Sequence, residues 1–185
     1  RCDFLWQMDF TEIVVAANKI NIAFLKAAEN RQAFRRLWTR EARDEALATI
    51  EKEYATAPDL AFIKSAWAKS YPFQMKRYAT DDKVTAKYQF SLWLYDDKLY
   101  NHIRDMARGG RIRALKGDLR GPTTVQGIAD AARKMKIVLR LIYFSNAEEY
   151  FTYGEQFRKN WTAIPVDEKS LIVRTISVEK HKFPW

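Results

Sequence analysis

RIRALKGDLRGPTTVQGIADAARKMKIVLRLIYF, residues 111–144, is the stretch on which the reading of this chain turns. Ile112 to Gly117 has the length and apolar content of a short strand. Thr123 followed by Gln126 matches a capping box, in which two side chains reciprocally satisfy the free N–H groups of a helix start. Val125, Ile128, Ala129 and Ala132 then fall on one helical face. Ile137 to Phe144 is a dense apolar run, as expected of a strand covered on both sides in a parallel sheet. Strand, helix and strand in this order predict a βαβ unit with parallel strands and a right-handed crossover. The C-terminal ends of both strands would then share one sheet edge.

Working outward, the rest of the chain reads as helix-rich. Phe4 to Asp9 has the pattern of a short strand, and Thr11 is placed to cap the helix that follows. Ile13, Ala17, Ile20, Phe24, Ala27 and Ala28 give that helix a long apolar stripe. A second helix is expected from Glu41 to Tyr54. Asp59 is positioned to cap a short third, carrying Phe62, Ile63, Ala66 and Trp67 and broken at Tyr71-Pro72-Phe73. Asp81-Asp82 reads as a turn. Val84, Tyr88, Leu92 and Tyr95 repeat at helical spacing, with a strand at Tyr88 to Leu94 as the alternative. Asp96 or Asp97 starts another helix, which Gly109-Gly110 stops. Beyond the βαβ unit a helix is expected over Tyr153 to Ala163 and a last strand over Ser170 to Val178. The expected class is α/β: a Rossmann-like, partly parallel sheet with flanking helices and a helix-rich N-terminal half. Residues 1–185 read as one domain, mostly helical over 1–108 and βαβ plus a final strand over 109–185.

Open α/β sheets bind ligands outside the carboxyl ends of their strands. Asp118 after the first strand, and Ser145, Asn146 and Glu148 after the second, are therefore the ligand-binding candidates. A carboxylate accepts from a hydroxyl, and the Asn146 amide both donates and accepts. Ser145 with Glu148 is equally a capping box, and Asp118 is equally a turn residue. Arg140 and Arg174 each interrupt an apolar strand, where an unpaired charge would cost several kcal/mol. They either reach the surface, pair with Asp118, Glu148 or Asp167, or face an anionic ligand.

Lys and Arg number 32 against 23 acidic residues, a net charge of +9. That balance favours nucleic acid or another acidic surface as partner. Arg31, Arg35 and Arg36, with Arg40, Arg43 and Trp38 nearby, are placed to grip phosphates and stack a base, or to form a solvated helix face. Arg104, Arg108, Arg111, Arg113, Lys116 and Arg120 form a second, purer basic stretch, with Arg108, Arg111 and Arg113 as its surface candidates.

Other classes lack their residues. Cys2 is the sole cysteine, so no intramolecular disulfide or thiolate metal cluster can form. His102 and His181 are not at zinc-helix spacing. No Walker loop, nucleophile elbow or glycine-rich dinucleotide loop is present. No apolar run approaches the roughly 18 residues of a membrane span. The chain starts at Arg1, which reads as a processed or truncated form. The cytoplasm is the default compartment, with export after signal removal as the alternative.

The segment Ile142-Tyr143-Phe144-Ser145-Asn146-Ala147-Glu148-Glu149-Tyr150, with Phe157 to Asn160, Ile164-Pro165, Asp167, Ser170 and Arg174-Thr175, resembles a bacterial family of uncharacterised proteins. In that family a Y-x-S-N-x-E-x-Y segment precedes a short helix, an L-P-x-D loop and a strand. The stretch Asn18 to Trp38 is similar to the family's preceding long helix. The resemblance implies a methyltransferase-like, Rossmann-type fold and, through it, S-adenosylmethionine as the cofactor to consider. This chain lacks the glycine-rich strand–loop–helix that methyltransferases use to hold it.

The expectation is a non-catalytic binding or assembly protein with protein partners. An S-adenosylmethionine-dependent methyltransferase or other small-ligand enzyme, and a basic nucleic-acid-binding module, are the alternatives.

Overall fold

The computed structural model describes residues 2–89 and 92–175, and the chain divides into two compact units, Arg1–Lys116 and Gly117–Trp185. It is a mixed α/β protein, mostly helical, with two small sheets of two parallel strands each.

In the first unit, strand β1 (Leu5–Asp9) pairs in parallel with β2 (Ile112–Lys116), Leu5 opposite Ile112 and Asp9 opposite Lys116. Five helices lie between them in sequence: α1 (Glu12–Ala27), α2 (Arg31–Arg36), α3 (Arg43–Tyr54), α4 (Leu60–Tyr88) and α5 (Asp97–Arg108). Helix α1 starts where Asp9 Oδ1 accepts the Thr11 N–H at 2.7 Å; the Thr11 side chain itself caps nothing. Its stripe is buried through Ile20 and Phe24, which meet Phe34, Trp38, Ile50, Ile63, Trp67 and Tyr100 in one apolar core. Both core tryptophans keep their N–H groups satisfied: Trp38 donates to Asn21 Oδ1 (3.1 Å), Trp67 to the Leu37 carbonyl (3.0 Å). Helix α5 is capped as its sequence predicts, with Asp96 Oδ1 accepting the Leu99 N–H at 2.9 Å. It ends at Gly110, whose φ of 66° lets the Arg111 N–H return to the Met106 carbonyl.

Helix α4 departs from its sequence reading. Pro72 does not break it, and Asp81-Asp82 is not a turn: the helix runs unbroken for 29 residues to Tyr88. A proline inside a helix costs roughly 3 kcal/mol. Here Ile63, Ala66 and Trp67 before it and Tyr78 after it are all buried in the same core, which offsets that cost. The helix closes at Gln89, with φ of 53°; Leu92 and Tyr95 lie beyond it rather than on its stripe.

In the second unit, α6 (Thr124–Lys134) is followed by β3 (Leu141–Phe144), a short 3-10 turn (Ala147–Tyr150), α7 (Glu155–Thr162) and β4 (Leu171–Arg174). β3 and β4 pair in parallel, Leu141 opposite Leu171 and Phe144 opposite Arg174. The expected pairing of 112–117 with 137–144 does not form, since each strand is hydrogen-bonded to a different partner. A strand–helix–strand crossover exists, but it is β3–α7–β4. Only four residues of the expected 137–144 strand join the ladder, and of the last strand 171–174 do; its expected continuation past Thr175 falls outside the described residues. The Thr123–Gln126 capping box is absent as well: Thr123 makes no cap bond, and Gln126 Nε2 donates to the Asn160 side chain and the Lys159 carbonyl. Tertiary partners outcompeted the local bond.

Candidate functional site

Because β3 and β4 are parallel, their C-terminal ends lie on one edge, and there the candidates separate into those the fold gathers and those it does not. Glu148, on the 3-10 turn after β3, meets Arg174 at the end of β4, with Oε2 and Nε 3.2 Å apart. Its other oxygen accepts the Tyr153 hydroxyl at 2.5 Å. The Glu148 side chain is 5% exposed, so this carboxylate is a charge inside the fold, neutralised by Arg174 and hydrogen-bonded by Tyr153. Desolvation, with the Glu148 hydrogen bond behind it, pushes the Tyr153 phenol up. Beside this group, Asn146 Nδ2 donates to the Tyr150 hydroxyl (3.3 Å), and the Tyr143 hydroxyl pairs with Thr175 Oγ1 (2.8 Å). Ser145 is exposed after β3 and does not cap the turn; that position belongs to Asn146, without a side-chain cap bond.

Asp118 is not on this rim through any shared ladder, because the strand before it pairs with β1 and not with β3. Its carboxylate is occupied locally: Arg120 donates from its backbone N–H (2.8 Å), Nε (3.1 Å) and Nη2 (2.9 Å). The Arg120 side-chain bonds, then its backbone N–H, hold the Asp118 carboxyl below its usual range. Arg140 is tied to Asp167 across the loop before β4. Burial pushes the Asp167 carboxyl up, but the Lys169 N–H and the Arg140 guanidinium outweigh it and the net shift is downward.

The basic candidates are largely spent inside the first unit. Arg31 reaches Asp97 (2.7 Å) and the Tyr95 carbonyl. Arg35 grips both oxygens of Asp82, and Arg36 bonds Glu45 at 2.5 Å. Arg108 donates to the Lys26 and Ala28 carbonyls at the end of α1, where the helix dipole is negative. Arg111 donates to the Asp3 carbonyl, and Arg113 stands exposed on β2. Trp38, read as a base-stacking residue, is 0% exposed and belongs to the core.

Two residues that sequence reasoning did not assign to the site organise the second unit. Tyr153 completes the Glu148–Arg174 group. Asn160 is 0% exposed and saturates its amide: Nδ2 donates to the Leu119 and Gly121 carbonyls, both at 2.8 Å, while Oδ1 accepts from Gln126 and Gln156. No signal in a lone helical asparagine marks it, since its partners are loop carbonyls about forty residues away. Gly117 begins that loop; a Cβ there would meet the Thr124 side chain at 2.4 Å. Among the described residues no group of three or more His, Cys, Asp or Glu could hold a metal, and no helix is long and apolar enough to cross a membrane.

A family model for a domain of unknown function, DUF7790, matches residues 1–185, and the chain belongs to that family. No curated protein matches it.

Proposed function

We propose that this chain is a non-catalytic binding module that assembles with a protein partner through the outer face of its β3–β4 sheet. One observation carries the reading. Leu141, Tyr143, Leu171 and Val173 are alternate residues on paired strands, hence on one face, and are 60%, 59%, 63% and 45% exposed. Parallel strands are ordinarily covered on both sides. An apolar patch on the order of 400 Å² is the size at which a soluble chain exposes a contact site. The polar groups nearest the sheet point the same way: Glu148, Arg140 and Arg174 are neutralised by internal pairs instead of facing a cavity.

The test uses the complex isolated from the native source. Leu171→Asp and Val173→Asp are expected to lose a partner that the wild-type chain and an Asp118→Asn variant retain. Retention by the sheet variants, or transfer of a methyl group from S-adenosylmethionine at an enzyme-like rate, overturns the reading.

A second reading, a small-ligand or S-adenosylmethionine-dependent enzyme on a Rossmann-type, methyltransferase-like fold of bacterial origin, draws support from the parallel β3–α7–β4 crossover. It would use Ser145, Asn146, Glu148 and Arg174 at the strand ends. Calorimetry with S-adenosylmethionine and its demethylated product separates the two; an absence of heat at millimolar ligand removes this one.

A further inference from the structure

We infer a second contact surface, independent of the sheet: the outward face of α4 is a site for single-stranded nucleic acid. Lys69, Lys76 and Lys83 recur every seven residues, and Lys87 follows four later. At about 100° per residue these four fall within roughly 40° of one another, on the side of the helix away from buried Tyr78. All four are exposed. Of the helix's two acidic residues in this half, Asp82 is held by Arg35 on another side, and Asp81, which borders the row, is paired with Arg77. Nothing among the described residues forms an ion pair with Lys69, Lys76 or Lys83.

The spacing suits a phosphodiester strand. Seven helical residues rise about 10.5 Å, and a stacked strand advances about 3.4 Å per nucleotide, so successive lysines meet every third phosphate. Phe73, 76% exposed, stands beside the row between Lys69 and Lys76, with Thr80 one turn beyond Lys76. The same face forms a shallow open depression lined by Phe73, Lys76, Arg77 and Thr80, with Asp81, paired to Arg77, at its border. A protruding aromatic ring between cations stacks an unpaired base, which a duplex does not offer. A membrane surface fits less well: interfacial helices turn a broad apolar face to the lipid, and this row is lysine with a single ring beside it.

The experiment is a fluorescence-anisotropy titration of the full chain with a labelled fifteen-nucleotide oligothymidylate, at salt from 50 to 300 mM. The expected result is binding that weakens steeply with salt. A K69Q/K76Q/K83Q variant should flatten the log–log slope by about 2, at roughly 0.7 per lost phosphate contact. Phe73→Ala should weaken binding about tenfold at constant slope, and K69R/K76R/K83R should restore it. All are surface changes, and circular dichroism confirms the fold of each. No binding at 50 mM salt, an unchanged slope in the glutamine variant, or equal affinity for duplex and single strand overturns the proposal. So does binding to phosphatidylserine vesicles with none to the oligonucleotide.

Discussion

The Arg35 guanidinium donates to both oxygens of Asp82, at 3.0 and 2.9 Å, and so ties α2 to the distal half of α4. Tyr95 adds its hydroxyl to the same carboxylate at 2.5 Å, and the guanidinium also lies 5.1 Å from the Tyr78 ring centre. This group anchors the part of α4 beyond Pro72, and with it Lys76, Lys83 and Lys87 of the lysine row.

The anchor makes stability depend on acid pH. Arg35's hydrogen bonds, then Tyr95's, hold the Asp82 carboxyl below its usual range. A carboxyl with a depressed folded pKa contributes fully above its unfolded value of about 3.9, and that contribution is lost as pH falls through the folded value. Asp82→Asn is therefore expected to melt a few degrees below wild type at pH 7. The gap should narrow progressively as pH falls below about 5. Thermal melts followed by circular dichroism check it; a gap that stays constant from pH 7 down to pH 2 refutes the assignment. Both side chains are partly exposed, so added salt should shrink the gap at pH 7.

Pro72 is exposed within α4 and lacks the N–H that position would otherwise donate. Pro72→Ala should stabilise the first unit by about 1–3 kcal/mol, the helix gain less what proline removes from unfolded-chain entropy. Urea unfolding reads this as a higher midpoint at unchanged slope. A lower midpoint would mean that the helix needs the proline geometry to bring Tyr78 back to the core.

Among the described residues of the second unit, Glu148 and Arg174 form the most enclosed ion pair. Removing one charge should cost more than removing both, because the remaining one loses this counter-charge inside the fold. Glu148→Gln is expected to destabilise by about 2–3 kcal/mol, with a coupling energy of about 1 kcal/mol or more against Arg174→Gln in a double-mutant cycle. Additive single and double variants would show that the two charges do not sense each other.

Local chemistry was legible in the sequence where its competitors were weak. Asp96 caps α5 and Gly109-Gly110 ends it, because a side chain three residues away and a positive φ need no distant partner. The α1 stripe was readable for the same reason: Ile20 and Phe24 sit one turn apart and bury together whatever covers them. The Thr123–Gln126 box failed because Thr123 does not take the extended backbone of a cap and Gln126 turns instead to Asn160 of α7. The lysine row was hidden by two local break signals, Pro72 and Asp81-Asp82, although its seven-residue spacing is visible once α4 is known to be continuous.

From its sequence alone this protein is a basic, aromatic-rich α/β chain with amphipathic helices, strands near 112 and 141, and no metal or nucleotide motif. Hydrophobic period and capping residues act over one or two turns and are written in neighbouring positions. Which strand pairs with which was decided only by the tertiary structure: β2 lies beside β1 across five helices, and β3 beside β4 across one. A strand's ladder groups are the same for any partner, so the choice falls to the core each pairing lets the helices bury. That choice took the strand before Asp118 out of the β3 ladder, put Arg174 against Glu148, and left Leu141, Tyr143, Leu171 and Val173 exposed.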